Sequence, residues 1–461
     1  MKTKLFALSL LLVFIATAGF GCKTVSQDVQ QKMQPVTLNY WRVWDGPDDF
    51  QDIISAYQTL HPYVTINYRK LGYDEYEAAL VDALAEDRGP DIFSVQNTWV
   101  RRYQTKIAPL PETISMVYPV TKGAIKKEVI PELRTSRSIT ITDVKNNFVD
   151  TVYGDVVLPK EGKNYVYGLP LSVDTLAMFY NKDLLNNAGI AELPPYWNKD
   201  FQQDVKKMTK QDSKGEIIQS GVSLGGSSNI ERSSDILSAL MMQNGAIMMD
   251  DNSVTFNQIP AVFRDRGYNP GMEAIRFYSD FANPAKEVYT WNGTLENSLQ
   301  RFINGKLGIF FGYSYHLPTI VAQAPKLNFA VAKFPQIEGN TTEANVANYW
   351  VETVSAKSQH QNEAWDFVQF MTTKPDQAKT YLDRTKKPTA LRSLIPGQLE
   401  NDELKVFASQ LLTARNWYRG RDVVAAEKAM NEMIDGVVAN PEQLDATVNL
   451  AASRIQQTIG Q

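Results

Sequence analysis

Hydrophobic positions along this chain recur with two periods that alternate from segment to segment. Val36-Thr37-Leu38-Asn39-Tyr40-Trp41 has the β-branched and aromatic content of a strand. Phe50, Ile53, Ile54, Tyr57 and Leu60 then recur at helical spacing, entered through the loop Asp45-Gly46-Pro47-Asp48-Asp49. His61-Pro62 stops that helix. Val64 to Tyr68 reads as a second strand, Tyr73 to Glu86 as a second amphipathic helix, and, after the break at Gly89-Pro90-Asp91, Ile92 to Val95 as a buried strand. The order β-α-β-α-β predicts an open, largely parallel α/β sheet. Ligands of such sheets sit beyond the carboxyl ends of the strands, which here are Trp41 to Asp45 and Gln96 to Trp99.

A long, poorly patterned connection runs from Pro109 to about Lys163, and a second α/β series follows it. Its markers are Tyr167-Gly168-Leu169-Pro170-Leu171-Ser172, the strand Leu176 to Tyr180, and a short helix from Asn181 closed by Gly189. Further helices are predicted near 233–243, 271–282, 294–304, 361–372, 402–412 and 422–438. There is no internal repeat and no low-complexity tract.

The amino-terminal pattern is of another kind. Lys2 and Lys4 precede an apolar run from Leu5 to Ala18, which ends in Gly19-Phe20-Gly21-Cys22. A charged start, an apolar middle and a small-residue end make residues 1–21 a secretion signal. The run is shorter than the roughly 20 residues that cross a bilayer comfortably, and no later segment is apolar enough to span one. The chain's one cysteine stands at the cleavage position, so no intramolecular disulfide can form. A cysteine placed there resembles the bacterial lipobox, in which it is diacylated and becomes the first mature residue. Gly19-Phe20 departs from that motif's usual aliphatic and small residues. Residues 22–35 then read as a polar tether between a lipid on Cys22 and the fold, and the body is expected outside the cytoplasm, held at the outer face of the membrane.

Composition narrows the class further. With 461 residues, 43% hydrophobic and 21% charged, the chain is an ordinary globular protein large enough for several lobes. Lys+Arg 47 against Asp+Glu 51 leaves no electrostatic footprint for nucleic acid. Eight Trp and 21 Tyr supply rings with an apolar face and a polar handle, which suits ligand contact.

Several segments in fixed order resemble the extracellular solute-binding proteins of ABC importers, in the group that includes maltodextrin and other sugar binders. They are V-T-L-N-Y-W-R-V-W (36–44), L-H-P-Y-V-T-I (60–66), G-P-D-I-F-S-V (89–95), Y-G-L-P-L-S-V-D-T-L-A-M-F-Y-N-K-D-L-L (167–185), F-I-N-G-K-L-G-I-F-F-G-Y-S (302–314), F-P (334–335), N-Y-W (348–350) and A-W-D-F-V-Q-F-M (364–371). The resemblance covers essentially all of 36–461. Phe179 stands where the family often has a second Tyr, and Pro195-Tyr196-Trp197-Asn198 where Pro-x-Thr-Trp is more usual.

The resemblance implies a two-lobed, periplasmic-binding-protein-like α/β fold, each lobe a mostly parallel open sheet flanked by helices. The amino-terminal lobe would take 36–167 plus 340–386 and the carboxyl-terminal lobe 168–339 plus 387–461. Hinge crossings would fall near Tyr167 to Leu171, near 336–347 and near Lys386 to Pro388. It further implies a monomer without cofactor that holds a solute, a mono- or oligosaccharide, in the interlobe cleft and passes it to ABC permease subunits.

Sugars present apolar C–H faces and a rim of hydroxyls, so a cleft for them needs aromatic platforms with Asp, Asn, Arg and Ser around them. Trp44-Asp45 and Asn97 with Trp99 offer this at strand ends. Asp174 follows the first crossing, Tyr313-Ser314 matches the family's cleft segment, and Trp350 falls at a strand end. Trp417 and Tyr418 resemble the late aromatic pair that stacks on sugars in maltodextrin binders, and Trp291 lies in a loop. Each of these residues equally suits a core or capping role.

Catalytic patterns are poor. The three histidines, His61, His316 and His360, are far apart and there is no second cysteine, so a zinc or thiol site lacks ligands and no metal is expected. Gly312-Tyr313-Ser314-Tyr315-His316 lacks the final Gly of a nucleophile elbow. Asp250-Asp251-Asn252-Ser253 fails the later EF-hand positions and reads as a hairpin turn. A secreted carbohydrate-active hydrolase remains the alternative, because the separation of two carboxylates is invisible in sequence. A surface protein that binds another macromolecule stands behind it.

Overall fold

A computed structural model describes residues 27–123, 127–340 and 342–460. The expected signal segment and Cys22 lie outside the described residues.

The first sheet gathers Val36–Val43, Val64–Leu71, Ile92–Gln96, Trp350–Val354 and Leu169–Pro170. Val36–Val43 lies parallel to both of its neighbours, Val64–Leu71 and Ile92–Gln96. Trp350–Val354 enters antiparallel between Ile92–Gln96 and Leu169–Pro170. Four strands therefore point one way, and the fifth returns from the other lobe. Pro47–Leu60 begins on a proline, with Asp49 accepting the free Gly46 N–H at 2.7 Å. It buries Phe50, Ile53 and Tyr57, the face its periodicity requires.

The second sheet is ordered Lys210–Gln211, Ile217–Val222, Leu307–Gly312, Ala177–Asn181, Phe329–Lys333. Ile217–Val222 and Leu307–Gly312 are parallel, while Ala177–Asn181 runs antiparallel to both of its neighbours. Both sheets are thus mixed rather than simply parallel, since a chain that leaves and re-enters a lobe must add reversed strands. All six residues of Leu307–Gly312 are buried, as the uninterrupted apolar run in the sequence requires.

Between the sheets, Asn345–Asn348 pairs with Asp174–Thr175 on one side and Ala414–Arg415 on the other. A Cβ on Gly168 would stand 2.3 Å from Val351 Cγ1, so only glycine lets the first crossing approach the returning strand. The third passage is tied in by the Val173 N–H donating to Pro388 O at 3.2 Å and by a bridge between Ser172 and Thr389.

Two stretches differ from the sequence reading. The connection after Pro109 is ordered: a hairpin of Thr113–Lys122 and Glu128–Arg137, the helices Ile141–Asn147 and Asp150–Val156, and a second hairpin of Val157–Lys160 and Lys163–Val166. Its helices are too short to show a period. The expected tether contains a helix, Gln27–Lys32, which packs against the first hairpin and buries Val29. Tertiary docking, not propensity, makes so short a helix. The helix expected at 402–412 shrinks to Lys405–Ala408, while Leu444–Ile459 was not foreseen. The turn at Asp250 to Ser253 forms as read, with Asp251 at φ 50°.

Candidate functional site

The loops at strand ends converge on a narrow hollow of about 40 Å³ between the sheets. Gln96, Asn97 and Thr98 line it from the end of the first lobe's third strand, and Val346 to Asn348 of the linking strand form its floor. The opposite wall comes from the start of Ser233–Gln243, the loop Asn416 to Tyr418 and the helix Val423–Ala439. Amides and hydroxyls share the lining with the apolar Val346, Ala347, Val423, Ala426 and Met430, and Trp417, half-buried, supplies the ring. Gln96 Nε2 donates to Asn348 Oδ1 at 3.4 Å and Thr98 Oγ1 to Gln96 Oε1 at 3.1 Å, so the rim amides are oriented before any ligand arrives.

The charged groups of this wall are mutually engaged. Arg232, at φ 55°, pairs with Asp235 at 2.7 Å and Glu427 at 3.4 Å. Tyr313 Oη donates to the same Asp235 carboxylate at 2.7 Å. Burial raises the Glu427 carboxyl and the Arg232 guanidinium opposes that shift. Asp235 and Glu427, the carboxylates lining the hollow, are therefore taken up by one cation, an arrangement unlike the free acid and base of a glycosidase.

Behind the hollow lies Asp155, buried, on Asp150–Val156. Tyr349 Oη donates to its Oδ2 at 2.6 Å, Asn97 Nδ2 to Oδ2 at 3.2 Å and Asn416 Nδ2 to Oδ1 at 2.9 Å. Burial pushes its carboxyl up to about 6, against the lowering effect of those donors.

Of the residues expected at a cleft, Asn97, Trp417 and Tyr418 meet on this hollow. Tyr418 is buried and anchored through Thr458 Oγ1 at 2.8 Å, so it supports the loop more than it faces the space. Trp44 stands at the end of the first strand at φ 69°, 54% exposed, and stacks on Tyr73 with 5.2 Å between centroids. The Tyr73 phenol is raised by burial and then by the Glu427 carboxylate, with Arg232 opposing, which places this pair across from the second wall.

The others lie elsewhere. Asp45 is buried in an ionic cluster with Arg42 at 3.1 Å and Lys387 at 2.5 Å, and accepts from Tyr381 Oη at 2.9 Å. Asp174 accepts from the Ser314 N–H and Oγ at 2.9 and 2.6 Å, a bond between crossing and second lobe that occupies both residues. Trp291 is wholly buried, its indole N–H donating to Asn229 Oδ1 at 2.9 Å; it is a core residue of the second lobe. Trp99 packs in the first lobe's core against Tyr103 and Trp350, and Trp350 is held between Trp99 and Tyr76. Tyr313 is buried beneath Tyr315, whose ring stacks on it at 5.6 Å and is itself 46% exposed.

Sequence reasoning missed Tyr73, Asp155, Arg232, Asp235, Tyr315, Asn416 and Glu427. Tyr315 was within reach, two residues beyond a named candidate. Asp155 carried no signal, because its partners come from three separate segments.

No group of three or more His, Cys, Asp or Glu side chains placed to hold a metal occurs among the described residues. His316 accepts the Tyr313 N–H at its Nδ1 (3.0 Å), and burial lowers it to about 4, so it stays neutral in a structural role.

Two α/β lobes with strand ends and an amide- and aromatic-bearing hollow between them define a protein that binds a small molecule. The chain belongs to the bacterial extracellular solute-binding proteins, whose family model matches residues 44–378, and it is a solute-binding component of ABC transport. A binding protein of Brucella abortus is 23% identical over 367 residues, spanning 78% of this chain and 77% of its own. The multiple sugar-binding protein of Streptococcus mutans is 25% identical over 233 residues, 50% of this chain and 52% of its own. The crystal structure of the cyclic α-maltosyl-1,6-maltose binding protein from Arthrobacter globiformis matches with a TM-score of 0.70 at 19% identity, covering 92% of this chain and 99% of that one. At that identity the likeness speaks for the fold.

Proposed function

We propose that this chain captures a neutral mono- or oligosaccharide between its lobes and delivers it to the permease subunits of an ABC importer, working as a monomer tethered by a lipid on Cys22. The observation that carries the ligand class is the hollow itself. Amides and hydroxyls stand beside apolar side chains and one half-buried tryptophan, and the single arginine there is already paired with two carboxylates. Hydroxyl-rich ligands need donors and acceptors of this kind and a flat apolar face, while an anion would have to displace Asp235 or Glu427.

The exposed Trp44–Tyr73 pair supports a second platform nearer the mouth of the cleft. A sugar touching both walls binds the closed arrangement more tightly than the open one, and that difference drives closure. The charged start, apolar run and Cys22 of the sequence support export and lipidation.

The test is a thermal-shift screen of residues 23–461 against monosaccharides, oligosaccharides, polyols and phosphate esters, with product analysis on every hit. A ligand at 100 times its Kd stabilises the fold by roughly 2.7 kcal/mol. Stabilisation by a neutral sugar without product is expected; cleavage, or a response confined to phosphate esters, sinks the reading. Metabolic labelling of the whole chain with a palmitate analogue, abolished by Cys22→Ser, tests the anchor.

A further inference from the structure

Two of the amides that line the hollow, Asn97 and Asn416, are held by one carboxylate that does not line it. Asn97 comes from the first lobe's third strand end and Asn416 from the late loop beside Trp417. Tyr349, which donates to the same group, lies between the linking strand Asn345–Asn348 and the returning strand Trp350–Val354. Asp155 thus joins three chain segments that meet only at the back of the cleft. We propose that Asp155 is a positioning residue of the binding site: its carboxylate fixes the direction of the Asn97 and Asn416 amides and so sets the hydrogen-bond pattern offered to the solute. This rests on the reading of the hollow as the solute site.

The chemistry is that of an acceptor-only group. An ionised carboxylate accepts from all its neighbours, and here Asn97, Tyr349 and Asn416 aim N–H or O–H at it, with Thr151 Oγ1 at 3.5 Å. Each asparagine spends a donor on Asp155, which leaves its carbonyl end free to turn elsewhere; Asn416 Oδ1 accepts the Tyr418 N–H at 3.2 Å and so pins the aromatic loop. A protonated Asp155 must itself donate, which displaces one of the donors and lets an amide turn.

The charged and titratable groups facing it are Tyr349, Arg419 and Arg101; Arg419 lowers the Asp155 carboxyl. On the other packed elements, Arg415 and Lys160 are exposed, Asp143 caps its own helix at Thr140, and Lys145 lies over the Tyr153 ring. With a folded value of about 6, the amide pattern is set above that pH and released below it.

The experiment follows the side-chain NH2 signals of Asn97 and Asn416 by NMR between pH 4.5 and 8 in residues 23–461, which contain all the described packing. Both amides should shift together with a midpoint near 6, and both titrations should vanish in Asp155→Asn. Separate midpoints, no titration, or an unchanged titration in the variant would overturn the proposal, and the wild-type arm decides even if the variant does not fold. In parallel, the Kd for maltotetraose is measured across the same range. Above pH 7 the variant should bind about tenfold more weakly, the worth of about one hydrogen bond to a charged group, and the gap should close by pH 5. A gap that does not change with pH means a merely structural role. If maltotetraose does not bind the wild type while the two amides co-titrate, the comparison is repeated with the sugar that stabilises the fold most in the screen; failure of every neutral sugar sinks the sugar reading and leaves the hold of Asp155 on the two amides standing.

Discussion

Trp44 holds a left-handed backbone conformation, which costs an L-residue roughly 1–2 kcal/mol, and keeps more than half of its side chain in solvent. Stacking on Tyr73 returns about 0.5–1.5 kcal/mol, so the fold alone gives little reason for a tryptophan here. Strain retained at an exposed ring is expected where that ring meets a ligand. Trp44→Gly removes strain and stacking together, and its melting temperature should stay within about 3 °C of the parent, since the two effects nearly cancel. Its Kd for the best sugar of the screen should rise about tenfold or more, the loss of one aromatic platform. A variant that melts much lower yet binds as before would make Trp44 a packing residue. Asn97 could be read from the sequence because the open-sheet rule needs only a strand and its end, and Trp417 from its match to the family's late aromatic segment. Asp45 satisfied the same rule and is nevertheless occupied, because Lys387, its partner, lies far along the chain and only the fold brings it near.

Among the elements, the returning strand Trp350–Val354 is laddered to Ile92–Gln96 and tied to the first strand, Val36–Val43, by charge. Glu352, wholly buried, pairs with Arg42 at 2.9 Å and accepts from Tyr40 Oη at 2.6 Å and Ser94 Oγ at 2.5 Å. Arg42 also reaches Asp45 and donates to Tyr381 Oη at 3.0 Å on Pro375–Thr385, which joins two strands and a helix through one guanidinium. Arg42→Met leaves Glu352 buried without its cation, and unfolding in urea should show a loss of about 3–5 kcal/mol. A loss under about 1 kcal/mol would mean that water or Lys387 takes over the role of the arginine. The β-α-β-α-β opening was legible because each element is long enough to show its period, as in Pro47–Leu60 and Tyr73–Ala85. The hairpin Thr113–Lys122 with Glu128–Arg137 was not, because many of its residues face solvent and its alternation is weak. The antiparallel course of Ala177–Asn181 was also hidden, since direction is set by pairing over long separations and leaves no mark in local composition.

At the scale of the whole molecule, the linking strands between the sheets are tied to the second lobe by Asp174, whose carboxylate takes the Ser314 N–H and Oγ from the end of that lobe's central strand. Burial raises this carboxyl to about 6, more strongly than the Ser314 and Thr175 donors and the nearby Lys387 lower it. Its folded value lies above the unfolded one of about 4, so the native state binds the extra proton between those values. Stability from this group is fully present below about pH 4 and is lost as pH rises through about 6. Asp45 works in the opposite sense: despite the cost of burial, Arg42 and Lys387 hold it below the usual carboxylate range, and its contribution is lost only as pH falls past that range. Between pH 7 and 5 the Asp174 effect therefore acts without the other. Asp174→Asn cannot titrate, so the melting temperature of the parent minus that of the variant should grow as pH falls from 7 to 5 and stay level from 7 to 8. A difference that stays flat across pH 5–7 would show that Asp174 keeps its charge in the fold and that its three donors outweigh burial. Because the same bond spans crossing and lobe, solution scattering of the two proteins with and without the best sugar of the screen should show whether the variant closes more readily, as expected when a tie between the hinge and one lobe is loosened.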